Sequence, residues 1–276
     1  MASRFEVPFD SAVLVGDTDG FGLPVVFLHA GVADRRMWAE QMRSVADAGF
    51  HVVSYDRRGF GETESPDEPF SHLADLEAVL DQLSINAAIL VGSSMGGALA
   101  IDFALEHPDR TIALVLIGTA VSGAPQPEFS DKMLELFGAR GYAEERRQWG
   151  TVANIDAQVW LDGLESERGR VSGPLRELFI EMDRQALGKP KLTQEEEPQP
   201  AYDNVAAITA PTLLVAGELD LPAILDRHDE LSEELENGFA VTLEDTAHLP
   251  SFERPDLFDP LLLEFLEAVA GEGEEE

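Results

Sequence analysis

Six short apolar runs punctuate the chain, at 25–29 (VVFLH), 51–55 (HVVSY), 88–92 (AILVG), 113–117 (ALVLI), 211–216 (PTLLVA) and 239–243 (FAVTL). Most are apolar at successive positions, the pattern of strands covered by helices on both faces. Helical periodicities fall between or after them, at about 35–48, 71–83, 95–107, 223–235 and 256–269. Alternation of this kind predicts an α/β fold with a mostly parallel sheet, whose ligand site lies beyond the carboxyl ends of the strands. An earlier pair of runs, 4–9 and 12–16, predicts an antiparallel hairpin at the sheet edge and brings the strand number to eight.

The rhythm breaks once. After Gly118 about 90 residues pass before the next strand pattern, too many for a structureless loop in a compact domain. Helical patterns near 129–139, 142–161 and 173–186, then the polar stretch GKPKLTQEEEPQPAY, predict an inserted helical cap at 121–205. Residues 1–120 and 206–276 then form the two parts of one core domain. Phe137, Trp149, Trp160, Leu161, Leu164, Phe179 and Met182 serve either as the cap's own core or as an apolar wall. Phe137, Trp149, Trp160 and Phe179 are the candidate substrate-pocket residues.

Charge narrows the partners. The 276 residues hold 53 Asp and Glu against 19 Lys and Arg, a formal charge of −34, yet 44% are hydrophobic, so the chain folds rather than staying disordered. Such a charge repels phosphate backbones, so nucleic acid and anionic membranes are excluded as expected partners. With no Cys, disulfides, thiolate nucleophiles and cysteine metal sites are excluded too. The first residues contain no apolar stretch of signal length and no run of about 18 apolar residues occurs, so a cytoplasmic protein is expected, as a monomer or small homo-oligomer. The acidic excess is spread broadly: residues 1–127 carry 18 acidic and 7 basic groups, 128–203 carry 16 and 10, and 204–276 carry 19 and 2. Only Lys132, Lys189 and Lys191 are lysines. A surface adapted to high salt, where the Debye length falls to about 3 Å at 1 M, explains that pattern better than one cationic partner; an ordinary acidic protein or an engineered surface are the alternatives. The terminal GEGEEE reads as a solvated tail.

Candidate chemistry starts at GSSMGG, 92–97. An apolar strand precedes it and a helical pattern follows, so Gly92 and Gly96 flank a bend that projects the Ser94 hydroxyl, the G-x-S-x-G arrangement of a nucleophile. A serine of this kind needs an imidazole to take its proton and a third group to hold the ring. Among six histidines, His107 ends the following helix and suits capping. His51 opens a strand at the far end of the sheet, and His72 and His228 lie on helices and read as exposed. His248 follows the last strand in TAHLPSFERP, at the carboxyl end of the sheet, and is the expected base. The acid belongs on a loop between nucleophile and histidine. Asp220 in AGELD fits, four residues past the strand end; Glu218 lies closer to the strand, and Asp245 suits shaping the turn before His248. No compact metal-ligand motif such as H-E-x-x-H occurs, and neither metal nor cofactor is expected.

Taken in order, LHAGVADRRMW (28–38), YDRRGFGET (55–63), VGSSMGG (91–97), AGELD (216–220) and AHLPSFERP (247–255) resemble the cap-bearing, serine-nucleophile branch of the α/β-hydrolase family over nearly the whole chain. The resemblance implies an oxyanion hole made by the amides of Met95 and of Gly31 or Val32. It also implies that His29 anchors its loop and that the segment of Asp56 and Arg57 braces it. A serine nucleophile argues against the dehalogenases and epoxide hydrolases of that family, which use aspartate. The expected activity is hydrolysis of a small to medium carboxylic ester through an acyl-enzyme, that is, a carboxylesterase. The alternatives are a lactonase or enol-lactonase, then a carbon–carbon bond hydrolase or perhydrolase, and outside enzymes a ligand-binding receptor on the same scaffold.

Overall fold

The computed structural model describes residues 2–272; most of the expected acidic tail, 273–276, lies outside the described residues. In chain order the strands are β1 (Ser3–Phe9), β2 (Ala12–Asp19), β3 (Pro24–Leu28), β4 (His51–Asp56), β5 (Ala88–Ser93), β6 (Thr111–Ile117), β7 (Thr212–Gly217) and β8 (Gly238–Leu243). They form one eight-stranded sheet in the order β1-β2-β4-β3-β5-β6-β7-β8. β1 and β2 form the antiparallel edge hairpin, β2 runs antiparallel to β4, and every other pairing is parallel.

Helices α1 (Ala39–Asp47) and α8 (Pro255–Glu272) cover one face, and α2 (His72–Gln82), α3 (Met95–Glu106) and α7 (Pro222–Glu234) the other. Successive strand residues supply opposite layers. Val25, Phe27, Ile89, Val91, Val115 and Val215 pack with Val45, Phe258 and Leu262, while Val26, Leu28, Leu90, Leu116 and Leu214 pack with Leu80, Phe103 and Leu231. Period-two burial on both faces of a sheet is what produces unbroken apolar runs in sequence. The edge strands β1 and β8 are exceptions, and β8 leaves Phe239 62% exposed.

The cap lies between β6 and β7 and contains α4 (Asp131–Glu145), α5 (Trp149–Asp156), a π-helical turn Ala157–Gly163, and α6 (Pro174–Gly188). The helix break expected near 140 is absent. α4 is capped by the Ser130 hydroxyl, which accepts the Met133 N–H at 3.3 Å, and it runs through Gly138 and Gly141. The chain turns instead at 146–148, where Arg147 adopts a φ of 54°. Two histidines also differ from expectation. His228 is 8% exposed, and the His72 side chain is 11% exposed, against Phe70 with ring centroids 5.1 Å apart. His107 ends α3, yet its ring packs on Phe103 at 4.6 Å, and it is the backbone N–H that donates, to Phe103 O. The cap is pinned to the core through α6: Arg36 reaches Glu181 and Gln185 at 2.6 and 3.1 Å, and Gln185 donates to Gly61 O at 2.7 Å. Lys189 donates to the carbonyls of Phe60 and Thr63.

Inside the cap, Asp156 of α5 and Asp183 of α6 are buried together, with Arg140 donating to Asp156 at 2.7 Å. One guanidinium faces two carboxyls. Burial, and next the neighbouring Asp156, push the Asp183 carboxyl up to about 8. The folded chain therefore holds a proton that the unfolded chain releases near the ordinary aspartate value of about 4. The associated stability is complete below about pH 4 and is lost as pH rises towards 8. Asp183→Asn keeps a hydrogen bond to Asp156 without an ionisable group. It is expected to raise the melting temperature by several degrees at about pH 9 and much less at about pH 5. Thermal melts across that range check it; an equal shift at every pH would remove the proton linkage.

Candidate active site

β5 ends at Ser93, which is fully buried with a hydroxyl that has no partner among the described residues. Ser94 follows in a bend with φ 54° and ψ −115°, and α3 begins at Met95. A non-glycine residue at positive φ costs on the order of 1–3 kcal/mol, and the surroundings must hold it there. They do so by close approach. A Cβ on Gly96 would lie 2.1 Å from Leu28 O, so only glycine lets α3 start against the end of β3.

Ser94 N–H donates to Ile117 O at 2.8 Å, which ties the bend to the end of β6. The next residue, Gly118, lies under His248: a Cβ there would be 3.1 Å from Nδ1 and 3.2 Å from Cε1. The Ser94 bend and the His248 ring thus meet at the carboxyl ends of the neighbouring strands β5 and β6. His248 is 2% exposed, and its Nδ1–H donates to Asp220 at 2.8 Å (Oδ2) and 3.0 Å (Oδ1). Asp220 Oδ1 also accepts the Leu221 N–H at 2.7 Å, which orients the carboxylate. The alternatives point elsewhere. Glu218 accepts the Asp245 N–H, and Asp245 occupies the turn with φ 55°.

On the other side of Ser94, Gly31 and Met95 are in contact, since a Cβ on Gly31 would be 2.4 Å from the Met95 sulfur. As the first residue of α3, Met95 has an amide with no intrahelical acceptor. His29 holds this loop in place. Its Nδ1–H donates to Ala30 O at 2.8 Å, and its Nε2 accepts the Arg57 N–H at 3.0 Å. Burial, then the Arg57 charge, keep the His29 pKa well below the ordinary histidine value, so the ring remains a neutral anchor. Asp56 accepts N–H groups from Arg35 and Glu62.

A cavity of about 1010 Å³ opens above these loops, and Gly31, Val32, Met95, Phe60 and, from the cap, Trp149 line it. Trp160 instead packs on the His248 ring, with centroids 4.7 Å apart. Phe137 packs beside Met133, Val159 and Leu164, and Phe179 is fully buried in the layer of Phe27 and Val91.

Arg170, a cap residue not singled out by sequence, ties these parts together. It donates to Leu161 O (2.8 Å) and Asp162 O (2.7 Å) on the turn that carries Trp160, to Asp245 O (2.7 Å), and to the Glu253 carboxylate. Glu253 in turn accepts the N–H of Ala247, the neighbour of His248. Nothing in the local sequence marks Arg170, because its acceptors come from separate segments; Glu253 does lie within AHLPSFERP.

Comparison with known proteins decides the family. Residues 25–260 match the family model described as "Alpha/beta hydrolase family". The chain belongs to the α/β-hydrolase family. Among its relatives is a 2-hydroxy-6-oxo-6-phenylhexa-2,4-dienoate hydrolase of Burkholderia cepacia, 29% identical over 261 residues, which cover 90% of this chain and 88% of that protein. The enol-lactonase of Burkholderia xenovorans LB400 superposes with a TM-score of 0.76 at 25% identity, over 95% of this chain and 99% of that one. A thermophilic esterase from Thermogutta terrifontis superposes with a TM-score of 0.78 at 24% identity, over 98% and 100%, a likeness of fold. This α/β-hydrolase carries Ser-His-Asp-type machinery for hydrolysing small organic substrates. Among the described residues no helix is long and apolar enough to cross a membrane.

Proposed function

We propose that this hydrolase opens a small lactone or enol-lactone, with Ser94 as nucleophile, His248 as base and Asp220 as its partner. The observation that carries the reading is the buried Asp220–His248 pair beside the Ser94 bend, under a large cavity lined by Gly31 and Met95. Ser94 Oγ attacks the acyl carbon while His248 Nε2 takes its proton, and Asp220 steadies the resulting imidazolium. Negative charge on the carbonyl oxygen meets the amides of Met95 and of Gly31 or Val32; each such donor contributes about 3 kcal/mol to transition-state stabilisation. His248 returns the proton to the leaving oxygen, then activates a water that releases the acyl group as an acid and restores Ser94.

The relatives favour this class over a simple carboxylester. The enol-lactonase is 25% identical, whereas the thermophilic esterase shares the fold at 24%. The dienoate hydrolase supports a second reading, cleavage of a carbon–carbon bond in an oxo acid by the same machinery. Lactones, oxo-dienoic acids and short p-nitrophenyl esters, assayed side by side, test the choice. The expected result is a higher kcat/KM on lactones than on acyclic esters; the reverse would restore a carboxylesterase.

Salt adaptation belongs to the same reading. Asp226, Asp229, Glu230, Glu233, Glu234 and Glu236 expose one continuous acidic face on and just after α7. At high ionic strength the self-repulsion of such faces is screened. Melting temperature and activity are expected to rise between about 0.1 M and about 3 M KCl, where the Debye length falls from about 10 Å to below 3 Å. A stability maximum at the lower salt would overturn this.

A further inference from the structure

Met95 is a partition as well as a wall. Behind it lies a second cavity of about 340 Å³, and Met95, His72 and Glu195 line both spaces. Leu73, Met95, Ala98 and Leu99 supply apolar lining, and Arg57 and Asp102 stand in its wall.

Arg57 differs from the arginines around it. Arg35 is held by Asp17, Asp56 and Glu62, and Arg58 by a bidentate pair with Asp75. Arg57 is 1% exposed, yet no described carboxylate bonds it. Its guanidinium donates to His29 O at 3.1 Å and lies 5.1 Å from the centre of the Phe60 ring, and Nε has no partner among the described residues. A buried charge without a counterion is costly. Burial lowers its pKa to about 10, which still leaves it protonated at neutral pH. The bonds to His29 do not require that charge: one comes from the backbone N–H, and a neutral donor can serve the carbonyl. Glu195 acts on Arg57 from the mouth of the cavity, but its side chain is 43% exposed and lies 3.9 Å from His72 Nε2.

We propose that Arg57 binds a carboxylate carried by the substrate, so that the enzyme acts on small organic acids, with the acid's carbon chain lying along Met95, Ala98 and Leu99. This rests on the assignment of Ser94 as nucleophile, whose neighbour in the chain, Met95, lines the second cavity. A guanidinium in an apolar cavity suits a planar carboxylate through paired N–H donors. Glu195, Glu196 and Glu197 on the rim oppose an anion but are exposed, and Asp102, buried in the same lining, opposes it too, its charge partly offset by the Ser122 hydroxyl that donates to it at 2.6 Å. Salt screens the repulsion of the glutamates more than it screens the buried contact. Affinity for an anionic ligand is therefore expected to hold or rise with ionic strength, opposite to a surface ion pair.

Two measurements test this. In the first, kcat/KM is compared for mono-p-nitrophenyl adipate and its neutral methyl ester. The wild type is expected to prefer the free acid by about tenfold to a hundredfold, the range set by a charged hydrogen bond. Arg57→Gln should abolish the preference and Arg57→Lys should keep part of it. Ala98→Leu, which fills the second cavity and leaves Arg57 on His29, should also abolish it. No preference in the wild type, or an equal loss on both substrates in Arg57→Gln, would overturn the proposal and leave Arg57 as a brace for the His29 loop. The second measurement is calorimetric binding of monomethyl adipate to wild type, Arg57→Gln and Ala98→Leu at about 0.1 M and about 3 M KCl. It needs no turnover. Binding that weakens in both variants supports the site, and unchanged binding overturns it. Fluorophosphonate labelling of Ser94 reports separately on the nucleophile, so failure there leaves the binding result standing.

Discussion

Replacing Ser94 with Ala is expected to lower kcat by about a millionfold on any substrate the enzyme turns over, the size of loss typical when a triad nucleophile is removed. Alanine keeps a Cβ at the positive-φ bend, so the strain, the Ser94 N–H bond to Ile117 O and the start of α3 are all retained. Loss of rate with an unchanged melting temperature would therefore isolate the hydroxyl. Steady-state kinetics and fluorophosphonate labelling provide the check. Residual activity within a hundredfold of wild type, or labelling that moves to the buried Ser93, would place the chemistry elsewhere.

Asp220→Asn is expected to lower kcat by about ten-thousandfold near neutral pH. The substitution preserves shape and removes the acceptor that keeps the proton on His248 Nδ1. With an amide N–H facing Nδ1, the ring carries its proton on Nε2 and cannot take one from Ser94. Glu218→Gln is the control, because Glu218 bonds the Asp245 N–H rather than the imidazole. Its kcat is expected to stay within about threefold of wild type; comparable losses in both variants would mean that the two acids share the role.

Much of this arrangement was legible from sequence because it depends on local pattern. Both-face burial writes β3 and β5 as apolar runs, and a strand, small-residue bend and helix mark the position of Ser94. The loops bearing Asp220 and His248 could be placed because strands in such a sheet end on one side. What escaped depends on contacts between distant segments. Gly138 and Gly141 disfavour a helix by about 1 kcal/mol each, yet α4 runs through them, its Met133 and Phe137 packed against Val159 and Leu164. His228 sits among acidic neighbours and looks exposed, but it occupies the buried side of α7 with Leu231. Phe179 and Trp149 look alike as aromatic cap residues. One fills the layer beneath the cap and the other lines the large cavity, a difference decided by helix rotation. Arg57 reads as half of an Arg-Arg pair; only the fold shows that Asp75 is spent on its neighbour.

The bonds of Arg170 also limit how the enzyme can admit a substrate. A cap that swings away from β8 must part Arg170 from Asp245 O and Glu253, and at the same time lift Trp160 from the His248 ring. Opening on that side would release the loop that carries the imidazole. The opposite margin is tied down as well, with α6 and the segment after it bonded to Arg36, Phe60, Gly61, Thr63 and Asp67. The cap is thus seated on the core along both margins, and on the β8 side its seat and the position of the imidazole depend on the same Arg170 bonds.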